Sequence, residues 1–72
     1  MEIKIEFEAA KEIGIDSNVL AIQQEQYLIL VIDTSKDLGL SSTGKMRAVA
    51  NTGGFQVMPG GLHGNIYIGK KP

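Results

Sequence analysis

The fold is decided by one apolar stretch, Tyr27-Leu28-Ile29-Leu30-Val31-Ile32. Its β-branched and aromatic composition predicts a strand, and its apolar side chains fall on both faces of that strand. Such a strand has to be covered on both sides. In a chain of 72 residues the cover must come from a helix, a second sheet layer or another subunit.

The length predicts a single domain over residues 1–72 with a marginal core, because so short a chain buries only about 60% of the surface that its unfolded form exposes. Cysteine is absent, which excludes disulfides and thiolate metal sites, and the single histidine, His63, cannot build a His-rich zinc site. We therefore expect no metal and no cofactor. Self-association is the remaining way to supplement the core.

The N-terminal segment, residues 2–8, alternates between apolar and charged side chains. The apolar members Ile3, Ile5 and Phe7 share one side. This period of two predicts a half-buried strand, whose charged outer side would protect it at a sheet edge.

The segment between this strand and the apolar stretch leaves two alternatives open. Residues 9–18 predict a connector with one helical turn at most, ending in turn-forming polar residues. Residues 19–26 favour a strand that forms a hairpin with the apolar stretch, because polar residues separate the two apolar runs. A helix over residues 18–26 is the competing prediction.

Beyond the apolar stretch, residues 33–44 predict a long polar loop that Leu38 and Leu40 pin to the core. The strands predicted after it, with glycine-rich turns between them, are residues 45–51, 55–58 and 65–68. The fold class is therefore mainly β, either all-β or β-dominated α+β. We expect five or six short antiparallel strands in a meander or small barrel, with at most one short helix.

One loop in this half looks like a phosphate-binding motif. Gly39-Leu40-Ser41-Ser42-Thr43-Gly44-Lys45 has the Gly-x4-Gly-Lys spacing of a P-loop. Met46, however, stands where a Ser or Thr would hold magnesium, and the residues after it alternate like a strand instead of forming a helix. The chain is also too short for the βαβ units of a P-loop protein. We therefore expect no nucleotide hydrolysis.

The same loop supports a weaker prediction of anion binding. Backbone amides and hydroxyls of a Gly/Ser/Thr-rich loop beside basic side chains can form a nest for a phosphate group without a metal. The alternative is an ordered connector whose hydroxyls cap its own turns. The candidate anion- or ligand-binding residues are Ser41, Ser42, Thr43, Gly44, Lys45, Arg47, Lys70 and Lys71.

The loop and the strand after it resemble a pattern in a family of small uncharacterised prokaryotic proteins. The family pattern is an aspartate-aromatic-glycine step, a serine-rich Ser-Gly-Lys loop and a Val-Ala-Ser/Thr strand. This chain departs from it with Leu38 at the aromatic position and Asn51 after Val-Ala. In this chain it runs Asp37-Leu38-Gly39-Leu40-Ser41-Ser42-Thr43-Gly44-Lys45 and then Val49-Ala50-Asn51-Thr52-Gly53-Gly54. The resemblance covers residues 27–68. It implies no activity, only that loop and strand form one unit.

The net charge of −1 conceals a division between the two halves of the chain. Residues 1–33 hold two lysines against seven carboxylates, a net charge of −5, and residues 34–72 hold five basic residues against one aspartate, a net charge of +4. The charges either interleave in the fold, offer a basic face to nucleic acid, or let acidic and basic faces meet between subunits. The rings available for base stacking are those of Phe55 and Tyr67. We expect Phe55 in the core, whereas the alternation of Tyr67 with Ile66 and Ile68 leaves its face open.

The sequence predicts neither a membrane segment nor a catalytic centre. The charged N-terminus lacks the features of a signal peptide, and the apolar stretch is too short to cross a bilayer. A chain without cysteine fits the cytoplasm. We expect no enzyme, because no acid, base and nucleophile can be assembled from named residues.

The leading hypothesis is a small β-domain that self-associates through its apolar sheet as a homo-oligomer and acts as a binding or assembly module. The alternative is a protein that binds nucleic acid or a phosphate ligand through residues 41–47 and the basic C-terminal tail, Lys70-Lys71.

Overall fold

A computed structural model describes Glu2 and residues 4–72 of the chain. Within these residues seven short strands form three antiparallel sheets, and helical structure is limited to the 3-10 turns Phe7–Ala9 and Pro59–Gly61. The strands are β1 (Lys11–Glu12), β2 (Leu20–Gln24), β3 (Tyr27–Val31), β4 (Arg47–Asn51), β5 (Gln56–Met58), β6 (Leu62–Gly64) and β7 (Tyr67–Lys70). The predicted mainly β, antiparallel fold is confirmed, although the described strands close no barrel. No helix in this part of the chain is long and apolar enough to span a membrane.

Strands β1, β2 and β3 form a meander in that order, which we call sheet A. A two-residue turn joins β2 to β3, so that Gln24 lies opposite Tyr27. At the first turn position Glu25 has a φ of 55°, the positive value that primed hairpin turns need there. The hairpin predicted for residues 19–26 is thus confirmed, and the competing helix over residues 18–26 is wrong.

Sheet B pairs β4 with β7, and a bulge interrupts its ladder. The predicted polar loop, residues 33–44, covers the other edge of β4. The N–H of Leu38 donates to the carbonyl of Ala48, and the N–H of Ala48 donates to the carbonyl of Gly39, both at 2.8 Å. Backbone hydrogen bonds therefore hold this loop. The prediction that leucine side chains pin it to the core is wrong, since Leu38 is 40% and Leu40 57% exposed.

Strands β5 and β6 form sheet C, a hairpin around the Pro59–Gly61 turn. Strand β6 is absent from the sequence-based prediction, because its glycine-rich surroundings are typical of a turn. Phe55, which was expected in the core, is 77% exposed. It lies between the glycine turn after β4 and the first residue of β5, outside any ladder that would turn it inward.

The strand predicted over residues 2–8 is also wrong for the residues that the structure describes, and Ile3 lies outside them. The chain instead forms an exposed 3-10 turn from Phe7. The side-chain amide of Gln24 accepts the N–H of Glu6 (3.1 Å) and donates to the carbonyl of Lys4. A side chain on β2, and not a neighbouring strand, therefore holds this segment.

The core is small. Its main cluster lies between sheet A and strands β4 and β5, and Leu28, Ile32 and Ile66 pack against it from the side. Among the residues that the structure describes, the buried hydrophobic ones are Ile13, Val19, Ala21, Ile22, Ala48, Val49, Ala50 and Met58. Three of these eight are alanines, so polar contacts have to help join the sheets.

Asn18 provides the main polar joint between sheets A and B. Its side-chain amide donates to the carbonyl of Asp33, just beyond β3, at 2.8 Å, and to the carbonyl of Val49, in the β4 bulge, at 2.9 Å. The carbonyl of the neighbouring Ser17, a fully buried residue, accepts the N–H of Asn51 at 2.9 Å. The predicted connector is therefore the piece that ties the two sheets together.

We predict that Asn18→Asp lowers the free energy of unfolding by about 2–4 kcal/mol, because a carboxylate cannot donate to the two carbonyls and repels them. Aspartate keeps the size of the side chain and tolerates the φ of 60° at this position. Denaturant unfolding measures the change.

Asp16→Asn is the matched control for this variant. Asp16 is exposed and also has a positive φ, of 51°, so the exchange should alter stability by no more than about 0.5 kcal/mol. Equal losses in the two variants, or no loss in Asn18→Asp, would contradict the role assigned to the amide.

Candidate functional site

The predicted anion-binding loop is the tip of a β-hairpin. The N–H of Ser41 donates to the carbonyl of Met46 (2.7 Å), and the N–H of Gly44 donates to the carbonyl of Ser41 (2.9 Å). The hydroxyl of Ser41 accepts the N–H of Met46 (3.3 Å) and lies 3.4 Å from the hydroxyl of Thr43. Three amides of the loop thus bond within the hairpin instead of pointing at a ligand.

Arg47 is engaged by a carboxylate. Its Nε donates to Asp37 at 2.5 Å. This hydrogen bond, together with one from the N–H of Gly39 (2.8 Å), holds the pKa of Asp37 below its ordinary value. Lys70 lies opposite Arg47 in the β4–β7 ladder, and its charge lowers the pKa of Asp37 further. The ion pair with Asp37 reduces the attraction of Arg47 for an external anion.

The eight predicted residues fall into two groups. The hairpin tip opens onto a cleft of about 740 Å³, whereas the ladder residues Arg47 and Lys70, and Lys71 after them, lie outside its lining. The four predicted residues that line the cleft are Ser41, Ser42, Thr43 and Lys45, and Gly44 belongs with those outside the lining. Lys45 and Asp16 are the charged lining residues, and the other walls combine apolar side chains, such as Leu38 and Leu40, with hydroxyl and amide groups. The cleft is therefore amphipathic and lacks the strongly basic lining that nucleic acids require.

The outer edge of β3 is a second candidate site. Strand β3 is the last strand of sheet A and, among the described strands, pairs only with β2. The N–H of Ile13 donates to the carbonyl of Val19 (2.9 Å), so the backbone groups of Val19 face β1. Because the direction of the backbone groups alternates along a strand, those of Ala21 also face β1 and not β3. Leu30 lies opposite Ala21, and its N–H and C=O therefore point to the open edge, as do those of Leu28.

Apolar side chains occupy both faces of β3, and none of its residues is buried. Leu28 packs partly against the core, whereas Leu30, on the same face, is 36% exposed. The half-buried residues of the opposite face are Tyr27, Ile29 and Val31. The sequence predicts this apolar strand. It does not predict the position at a sheet edge, because that position depends on whether the N-terminal segment pairs with β3.

Among the described residues, no group of three or more histidines, aspartates or glutamates could hold a metal ion. Comparisons with protein-family models, with curated proteins and with solved structures found no match. The resemblance of residues 27–68 to a prokaryotic family stays a prediction. Function has to be inferred from the hairpin tip, the cleft and the β3 edge.

We predict that Arg47→Met raises the pKa of Asp37 toward its ordinary value, because it removes the hydrogen bond that lowers this pKa most. Since the folded-state pKa is depressed, the ion pair stabilises the fold above the unfolded-state pKa, and this stabilisation is lost as the pH falls through the folded-state pKa. An NMR titration of the carboxylates measures the shift.

Asp33 is the internal control for this titration. The hydroxyl and the N–H of Ser35, at 2.5 and 2.9 Å, hold the pKa of Asp33 below its ordinary value, and neither contact involves Arg47. Its pKa should stay the same in the variant. An unchanged pKa of Asp37, or equal shifts at both aspartates, would contradict the assignment.

Proposed function

We propose that this protein is a self-associating β-domain that acts as a binding or assembly module and not as an enzyme, and that the outer edge of β3 is its contact surface. The observation that carries the proposal is an apolar strand whose backbone N–H and C=O groups, at Leu28 and Leu30, face the open side of sheet A. An extended segment of a second chain can pair with such an edge.

The edge of β3 lacks the features that keep sheet edges apart. Soluble proteins protect their edges with lysines, prolines or bulges, or with very short strands. Strand β3 has five residues, none of them charged and none proline, and its register with β2 is regular. An edge of this composition is suited to pairing. The absence of cysteine fits a module that works in the cytoplasm.

The energies favour weak association. Each new backbone hydrogen bond contributes about 1 kcal/mol net, and each 100 Å² of apolar surface removed from water contributes about 2.5 kcal/mol. The lost freedom of the two chains opposes this by about 4 kcal/mol or more. An interface of one strand pair is small, so we expect dissociation constants of about 10 µM to 1 mM.

The alternative, binding of nucleic acid or a phosphate ligand through residues 41–47 and the Lys70-Lys71 tail, has less support. Its hairpin tip uses three amides internally, and Arg47 is paired with Asp37. Lys45 is the cation that remains at the cleft. These contacts favour the ordered connector over an anion nest.

We predict that Leu30→N-methylleucine, introduced by chemical synthesis of the whole chain, abolishes self-association. The methyl group removes the N–H that faces the open edge and blocks approach, while the side chain and the pairing with β2 are kept. Sedimentation equilibrium should show the average mass of the unmodified chain rising between about 10 µM and 2 mM, and that of the methylated chain staying at the monomer.

Ser42→N-methylserine is the control, because Ser42 lies at the exposed hairpin tip, away from β3. This chain should associate like the unmodified one. A strict monomer over the whole concentration range, or unchanged association after methylation of Leu30, would rule the proposal out.

A further inference from the structure

Strand β7 is a second free edge. It closes sheet B and, within the described part of the chain, pairs only with β4. Asn51 and Ala48 of β4 donate their N–H groups away from β7, to the connector and to the loop. The residues opposite them, Tyr67 and Gly69, therefore direct their own N–H and C=O groups to the open side.

The two edges carry opposite charges at their ends. Glu25 and Asp33 flank β3, whereas Lys70 ends β7 and Lys71 follows it. The carboxylates belong to the acidic half of the sequence and the lysines to the basic half.

Pairing of β3 with β3 of a second copy is opposed by these charges. In the antiparallel register that uses all five residues, Leu28 lies opposite Leu30 of the second copy. The same register sets Glu25 opposite Asp33 of the second copy, and the two-fold axis repeats this contact at the other end. Like charges directly opposite each other destabilise a strand pair.

Antiparallel pairing of β3 with β7 of a second copy avoids this conflict. The outward backbone groups meet when Leu30 lies opposite Tyr67 and Leu28 lies opposite Gly69. In this register the outward N–H and C=O groups of each β3 residue lie opposite the C=O and N–H groups of a β7 residue, so every donor meets an acceptor.

The same register brings opposite charges together. Lys70 of the second copy lies opposite Tyr27 and diagonally across from Glu25 on the same face, and Lys71 lies opposite Gln26. An ammonium group is favourable both beside a carboxylate and over an aromatic ring.

We propose that the partner of the β3 edge is the β7 edge of a second copy, so that the chains assemble head to tail. This inference rests on the proposed self-association. The contact joins two different surfaces, so a dimer keeps one free β3 edge and one free β7 edge, and assembly continues beyond the dimer.

Two blocked chains test the inference, Leu30→N-methylleucine, with β7 open, and Gly69→N-methylglycine, with β3 open. Sedimentation equilibrium should show each chain alone as a monomer. An equimolar mixture should form a dimer that does not grow, because the open edges complement each other only once. Formation of the mixed dimer also shows that both methylated chains fold.

The outcomes separate the two proposals. A dimer of the Gly69→N-methylglycine chain alone overturns head-to-tail assembly but keeps self-association through β3. Monomers in the equimolar mixture, while the unmodified chain associates, also overturn it. A monomeric unmodified chain at about 2 mM overturns both proposals.

A charge variant gives a second, independent measurement. Glu25→Lys places a lysine diagonally across from Lys70 of the second copy, so head-to-tail assembly should weaken about fivefold. The triple variant Glu25→Lys, Lys70→Glu, Lys71→Glu restores opposite charges and should recover it. If β3 pairs with itself, Glu25→Lys replaces a repulsion by an attraction, and stronger association would contradict the inference.

Discussion

A shortage of buried hydrocarbon is the constraint on which this structure depends. Three of the eight buried hydrophobic residues in the described part of the chain are alanines. Polar groups help to join the sheets. The Asn18 amide donates to a carbonyl just beyond β3 and to one in β4, and the Thr52 hydroxyl, after β4, accepts the N–H of Ile66, before β7, at 3.0 Å. In the same part of the chain no buried side-chain nitrogen or oxygen lacks a partner. The small core leaves apolar side chains uncovered at many positions, Leu30 of β3 among them.

Composition and alternation predict the strands whose patterns are strong. The apolar run gives β3, and the polar pair at its start gives the turn, even though Glu25 is an unusual residue at positive φ. Alternation fails for Glu2 and residues 4–8, because a period of two indicates a strand only when another strand supplies the ladder. Here the amide of Gln24, a contact distant in sequence, holds the segment instead. The double role of Asn18 likewise depends on the β4 bulge, which no local pattern announces.

The candidate site shows the same limit. The sequence predicts a polar loop that includes residues 39–44, and the structure has one, with Gly44 at a φ of 71°. The glycine spacing does not reveal that the loop folds back on β4 and bonds its own amides. The charge division is visible in the sequence. Whether the two charged halves can attract each other between copies depends on which strands lie at sheet edges. Lysines at the end of β7 and carboxylates around β3 become complementary only once both edges are known to be open.

Amide hydrogen exchange at Leu30 tests the central claim most directly, because its N–H faces the open edge of a single chain. The N–H of Ile29 bonds to β2 and provides the reference, protected at every concentration. The account predicts that the Leu30 amide exchanges rapidly at about 10 µM protein and slowly at about 2 mM. Equally rapid exchange at both concentrations, beside a protected Ile29, would contradict it.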